Sequence, residues 1–86
     1  MSVIYCDLDI FSHIQHINII DHYGNKTTVS TDISMMANYI SELCHQQNIN
    51  NVHLFGNTKY VQGIANDIYQ LYSLKYSNQD LNIEVN

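Results

Sequence analysis

Along residues 3–11 the chain alternates between two sets of side chains. Ile4, Cys6, Leu8 and Ile10 are all apolar, whereas Val3, Tyr5, Asp7, Asp9 and Phe11 put two carboxylates in the middle of the other set. A period of two, rich in β-branched and aromatic residues, belongs to a strand, here a central one with something polar on one face. Residues 16–24 (HINIIDHYG) read as a second strand closed by a turn at Gly24 and Asn25. Residues 26–31 (KTTVST) read as a third, short and polar enough for a sheet edge. Three strands joined by short turns make an antiparallel meander.

The period then changes. Asp32 stands as an N-cap before Ile33, Met36, Ile40, Leu43 and Cys44, the stripe of an amphipathic helix that should end near residues 46–51 (QQNINN). Residues 51–55 (NVHLF) are a fourth strand, leading through Gly56, Asn57 and Thr58 into a second helix with an apolar face of Val61, Ile64, Ala65, Ile68, Leu71 and Tyr72. Gly63 inside that helix costs up to ~1 kcal/mol against Ala, which predicts close approach of a neighbouring element as compensation. Residues 81–85 (LNIEV) alternate as a last strand. The order β-β-β-α-β-α-β predicts one small α/β domain over residues 1–86, with a mixed sheet whose fourth strand runs parallel to the first. Without the third strand the same chain would make a ferredoxin-like α+β sandwich.

Length and charge narrow the functions. A single core in 86 residues supplies only on the order of 3–5 kcal/mol, so support from a second subunit is expected. Three lysines, no arginine and eight carboxylates give a net charge of −5. Without the guanidinium fork that reads phosphates and base edges, autonomous duplex nucleic-acid binding is not expected. Cys6 and Cys44 sit far apart inside apolar patterns, as buried reduced thiols do. No basic region precedes an apolar run at the N-terminus, and no stretch approaches the ~18 apolar residues of a spanning helix. A cytoplasmic protein without a membrane segment is expected, and Asn25-Lys26-Thr27 is then a chance match to a glycosylation pattern.

Few residues offer chemistry. No serine has a glycine-flanked elbow, neither cysteine has a CxxC partner, and His13, His16 and His22 lie around a hairpin that does not fix imidazoles on one face. No catalytic residue, metal site or cofactor is expected. The candidate ligand site is a crevice formed by Asp7 and Asp9 with Gly56, Asn57 and Thr58, at the carboxyl ends of two neighbouring parallel strands, where open α/β sheets bind ligands. The glycine allows close backbone approach, and the free amides of the helix start favour an anion or the polar edge of a small molecule. The alternative is that Gly56 turns the chain and Asn57 or Thr58 caps the helix. Seven tyrosines, with Tyr60, Tyr69, Tyr72 and Tyr76 on or just after the second helix, give more aromatic surface than one small core covers, which predicts an interface and a two-fold homodimer. The alternative there is that Tyr69 and Tyr72 fill the core while Tyr60 and Tyr76 are exposed.

This element order resembles the ribonuclease H-like fold, shared in outline by the actin-like ATPase domains. The resemblance implies comparison with nucleases that place a carboxylate on the first strand and gather others around two divalent cations. Asp7 matches the first-strand position, and Glu42 is available from the first helix. Gly56 and Asn57, however, stand where such nucleases have an aspartate, and Asp67 falls inside a helix, so the resemblance implies at most a degenerate nuclease. The stretch HLFGNTKYVQGIANDI, with KYSN beyond it, also resembles short uncharacterised bacteriophage proteins, which implies a host-cell cytoplasm and a host protein as partner. The leading expectation is a small non-enzymatic protein that binds another protein or itself. A small-ligand or nucleotide binder using the crevice comes second and the degenerate nuclease third.

Overall fold

The computed structural model describes residues 2–86. The chain forms β1 (Val3–Asp7), β2 (Ile14–Ile20), β3 (Lys26–Asp32), a single 3-10 turn (Ile33–Met35), α1 (Met36–Gln46), β4 (Asn51–Phe55), α2 (Thr58–Lys75) and β5 (Asn82–Val85). The first three strands form the expected antiparallel meander, β4 runs parallel to β1, and β5 runs parallel to β4. One five-stranded sheet results, in the order β3-β2-β1-β4-β5. Because β3 forms over seven residues and closes the sheet edge, the ferredoxin-like alternative falls away.

Local chemistry accounts for the punctuation. Asp21 ends β2 and accepts hydrogen bonds on Oδ1 from the backbone N–H groups of Tyr23 and Asn25, each at 2.9 Å, an Asx turn that carries the chain back into β3. Asp32 caps the 3-10 turn, its Oδ1 accepting from the N–H of Ser34 at 2.9 Å. Asn57 caps α2 by accepting from the N–H of Tyr60 at 3.2 Å.

Both helices pack on one face of the sheet. Ile4, Cys6 and Leu8 of the first strand segment, Ile17 and Ile19 of β2, and Val52 and Leu54 of β4 meet Met36, Ile40 and Cys44 of α1 and Val61, Ile64, Ala65, Ile68 and Tyr72 of α2 in one core. The apolar set read from the alternation of residues 4–8 is thus the core side. Ile10, its last member, lies beyond the strand and is half exposed, because β1 ends at Asp7 and the chain turns away. Burial pushes both thiols, Cys6 and Cys44, up to about 12, so they stay neutral and unreactive at physiological pH.

Among the described residues no helix covers the other face of the sheet. One row runs across it, one residue from each strand: Thr28, Asn18, Tyr5, His53 and Glu84. Thr28 donates to Asn18 Oδ1 at 2.8 Å, Asn18 donates to the Tyr5 carbonyl at 3.3 Å, and His53 Nδ1 lies 2.9 Å from Glu84. Polar cross-strand pairs of this kind let a sheet face meet water without an apolar patch.

Gly63 corrects an expectation. A Cβ at this position meets nothing within 4 Å, so no neighbour approaches there, and the glycine sits on the solvent side of α2.

At the far end of α2, Glu42 accepts from the Lys75 ammonium at 2.8 Å and the Tyr76 hydroxyl at 2.9 Å, and these bonds hold its carboxyl below the usual carboxylate range. A carboxyl lowered in the folded state stabilises the protein above its unfolded-state value, near pH 4, and that stabilisation is lost as pH falls through the lowered value. Melting curves should therefore show Glu42→Gln less stable than the parent at neutral pH, with the gap closing on acidification. A gap that stays constant would mean the carboxylate contributes no charge-dependent stability.

Candidate interaction site at the carboxyl end of the first strand

One buried side chain sets the shape of the β1–β2 loop. Gln15 on β2 is 1% exposed, at a position where the alternation with Ile17 and Ile19 calls for an apolar residue. Its Oε1 accepts from the N–H of Asp9 at 3.0 Å, and its Nε2 donates to the carbonyls of Asp9 at 2.7 Å and Ser12 at 3.0 Å. The buried amide is therefore satisfied by the loop backbone rather than by other side chains. Asp9 tightens the turn further by accepting on Oδ1 from the N–H of Phe11 at 2.9 Å, while the N–H of Ser12 donates to the Asp9 carbonyl at 3.1 Å.

The braced turn holds Phe11 in solvent, 95% exposed, between the half-exposed side chains of Ile10 and Ile14. Beside it, the N–H of Ile33 donates to the His13 carbonyl at 2.7 Å, which ties the 3-10 turn and its exposed Met35 to the same end of the molecule. Isolated exposed apolar residues are ordinary, but a whole phenyl ring at the apex of an internally bonded loop is a preorganised contact. Three carboxylates belong to this end of the sheet: Asp9 lies within the loop, Asp7 ends β1 two residues before it, and Asp32 pairs with Ile14 at the start of β2. The Ser34 N–H and hydroxyl, both bonded to Asp32 Oδ1, keep that carboxyl below its ordinary range, so it stays charged.

The five residues read as a ligand crevice lie at the adjoining ends of β1 and β4. Asp7 pairs with Phe55, and the N–H of Leu8 donates to the Phe55 carbonyl at 2.8 Å, so the two strand ends remain zipped together. Gly56, at φ +143°, is pressed so close to the first strand that a Cβ would lie 2.9 Å from the Leu8 carbonyl oxygen. The glycine's close approach is to the chain itself. Asn57 uses its side-chain oxygen as the α2 cap, and Thr58 is the exposed first residue of that helix. A switch-point crevice needs adjacent crossovers on opposite faces of a sheet. Here both helices lie on one face, and the chain leaves β1 through a hairpin.

Nor does the fold collect a metal set. Glu42 is bonded to Lys75 at the end of α2, whereas Asp7 pairs with Phe55, three residues before α2 begins, and an 18-residue helix spans about 27 Å. Asp67 lies on the outer side of α2, beside Ser34 and Asn38. Among the described residues no group of three or more His, Cys, Asp or Glu side chains is placed to hold a metal ion, so the two-cation arrangement of ribonuclease H-like nucleases does not fit these residues.

The tyrosines largely serve the fold. Tyr72 is 4% exposed and donates to Gln79 Oε1 at 2.8 Å, so it is core and cannot line an interface, a correction to its place in the predicted set. Tyr76 stacks on His45 with ring centroids 3.8 Å apart while its hydroxyl donates to Glu42. Tyr69 accepts from the N–H of Ile83 at 3.0 Å, linking α2 to β5, and Tyr60 packs partly buried against the core. Three of these tyrosines bond to α1, to β5 and to the segment between α2 and β5, a use that helical periodicity alone does not reveal.

No known family profile and no curated protein matches the sequence. Among solved structures the chain is similar to Thermus thermophilus RuvC in complex with a Holliday junction substrate, with a TM-score of 0.59 and 11% identity over 100% of this chain and 64% of that one. A second Thermus thermophilus RuvC structure gives a TM-score of 0.58 and 12% identity, covering 100% of this chain and 63% of that one. The chain thus spans a little under two thirds of the length of the RuvC chains it matches. At such identity the likeness is one of fold, and the fold is ribonuclease H-like.

Proposed function

We propose that this chain is a non-enzymatic binding protein that uses a ribonuclease H-like scaffold to present the Phe11 apex to another protein. The observation that supports the reading is the fully exposed ring on a loop pinned by the buried Gln15 amide. Such an aromatic, held still before contact, fits an apolar pocket at low entropic cost, and buried aromatic anchors dominate most interfaces. The three carboxylates at this end of the sheet favour a partner whose pocket has a basic rim, through steering and complementarity. They work against phosphates, in line with a net charge of −5 and the absence of arginine. A Holliday junction, the substrate in the RuvC complex, is for the same reason a poor candidate for this chain. The reading places the protein in the cytoplasm of the cell that makes it, a bacteriophage host if the chain is phage-encoded.

One preparation tests both halves of this reading. Incubated with Mg²⁺ or Mn²⁺ and junction, single-stranded or hybrid nucleic acid, it should show no cleavage that Asp7→Asn removes. Immobilised as bait in extract of the producing cell, it should retain a protein that Phe11→Ser, equally folded, releases. Cleavage abolished by Asp7→Asn would overturn the non-enzymatic reading, and a partner retained equally by Phe11→Ser would overturn the apex as its site.

A further inference from the structure

Strand β3 ends the sheet with one side of its backbone unpaired. Two bonds flank its ladder with β2, from the Asp21 N–H to the Asn25 carbonyl at 3.1 Å and from the Ile33 N–H to the His13 carbonyl at 2.7 Å, and they fix the phase of that ladder. Odd-numbered residues of β3 turn their N–H and C=O groups to β2, so those of Lys26, Thr28, Ser30 and Asp32 face outward. Natural edges of this kind are blunted by proline, by a bulge or by a charge in mid-strand. Here the pairing with β2 runs unbroken over seven residues, and the stretch between Lys26 and Asp32 (TTVST) is uncharged and rich in strand-forming Thr and Val. Charge stands only at the two ends, and its sign is opposite there. Lys26 lies over the Tyr5 ring, 5.7 Å from its centre, and the ion pairs among the described residues, His53 with Glu84 and Lys75 with Glu42, do not include it. Read antiparallel to itself, the strand is self-complementary.

We propose that a second copy of this chain pairs with the β3 edge, β3 against β3 and antiparallel about a two-fold axis at Val29, so that Lys26 of each protomer faces Asp32 of the other. Thr28 then stands opposite Ser30, Thr27 opposite Thr31 and Val29 opposite Val29, and the two sheets join into one with both helical layers on the same side. The phase restricts the register, because only even-numbered residues can bond across the new edge. Moving the axis to Thr28 or to Ser30 would set Lys26 opposite Ser30, or Asp32 opposite Thr28, and lose the charge match. The net charge of −5 does not decide this contact: the edge carries one charge of each sign, and charges beyond about 8 Å are screened at physiological salt. The opposite edge offers no such match, since β5 is four residues long and carries Glu84 without a cation. The expected homodimer therefore forms through main-chain bonds of β3. It does not use the tyrosines of α2, whose hydroxyls are occupied within the chain.

Sedimentation equilibrium from low to high micromolar concentration tests this. The mass should rise from 10.0 kDa toward twice that value. Thr28→Pro removes an outward N–H, so it costs the single chain its Thr28–Asn18 hydroxyl bond but no bond of the ladder. That variant should keep the circular dichroism spectrum of the parent and stay at 10.0 kDa. Lys26→Asp and Asp32→Lys should each weaken the dimer by about 30-fold, because like charges then meet twice across the axis. An equimolar mixture of the two should associate as tightly as the parent, since each supplies the charge the other lacks. Should loss of the Asp32 cap keep Asp32→Lys from folding, Lys26→Asp and Thr28→Pro decide the matter. A mass of 10.0 kDa at every concentration, a dimer indifferent to Thr28→Pro or to Lys26→Asp, or a mixture of folded variants no tighter than either alone would each overturn the proposal.

Discussion

Gly56→Ala should lower the melting temperature by about 15 °C, a loss of about 3 kcal/mol in a domain of this size. Two effects combine. At φ +143° a side chain is strained whatever the space around it, and the added Cβ would sit 2.9 Å from the Leu8 carbonyl oxygen and 3.3 Å from Val61 Cγ2. The oxygen belongs to backbone already bonded to its neighbour strand through the Leu8 N–H and the Phe55 carbonyl, so it has no freedom to withdraw. Relief would require β1 and β4 to part at the point where the chain enters α2. Gly63→Ala provides the matching measurement a few residues later. Its Cβ meets nothing within 4 Å, the backbone is ordinary helix, and the change should raise stability by about 0.5–1 kcal/mol. If Gly56→Ala melted within a few degrees of the parent, the zipped strand ends would not be what the glycine is for, and an open crevice at Asp7 would again be worth considering.

The contrast between these glycines shows where sequence patterns inform and where they stop. Gly63 looked costly because it lies inside a helix, yet it sits on the side where nothing packs, so the apolar face of Val61, Ile64, Ala65, Ile68 and Tyr72 is unaffected. Gly56 looked like a ligand position because of its strand-to-helix setting. The same residue type at the same kind of turn also serves when two strands must touch, and only three-dimensional contact separates the two. The element order was legible because β1, β4 and both helices keep a clear period, and β4 occupies 51–55 as the alternation predicts. The β1–β2 loop was misread for a related reason. Alternation persists through Asp9, Ile10 and Phe11 although the hydrogen-bonded strand stops at Asp7, so Phe11 looked like a strand residue. Two local signals pointed elsewhere: a glutamine in the apolar register of β2, and the spacing of Asp9 and Ser12, both frequent makers of side-chain turns.

Gln15→Leu decides whether that glutamine is the brace described above. Judged by volume and periodicity alone, leucine is the better residue, since it extends the apolar set of Ile17 and Ile19 into a position that is 1% exposed, and the hydrophobic gain would favour it. Hydrogen bonding predicts the reverse. The substitution strands the Asp9 N–H and removes the donor that serves the Asp9 and Ser12 carbonyls, all in a part-buried loop. Unmet groups of this kind cost more than a normal hydrogen bond contributes. A net loss of about 2–3 kcal/mol is expected, with faster amide exchange confined to residues 9–14. The consequence for binding separates shape from composition: Gln15→Leu retains Phe11 yet should release the same partner that Phe11→Ser releases, because the ring is no longer held at the apex. The two variants differ in one further respect. Phe11→Ser removes an exposed ring and should leave stability nearly unchanged, whereas Gln15→Leu should lose stability and binding together. A Gln15→Leu protein as stable as the parent, with unaltered exchange in the loop, would show that the turn chemistry of Asp9 and Ser12 holds the apex without the buried amide.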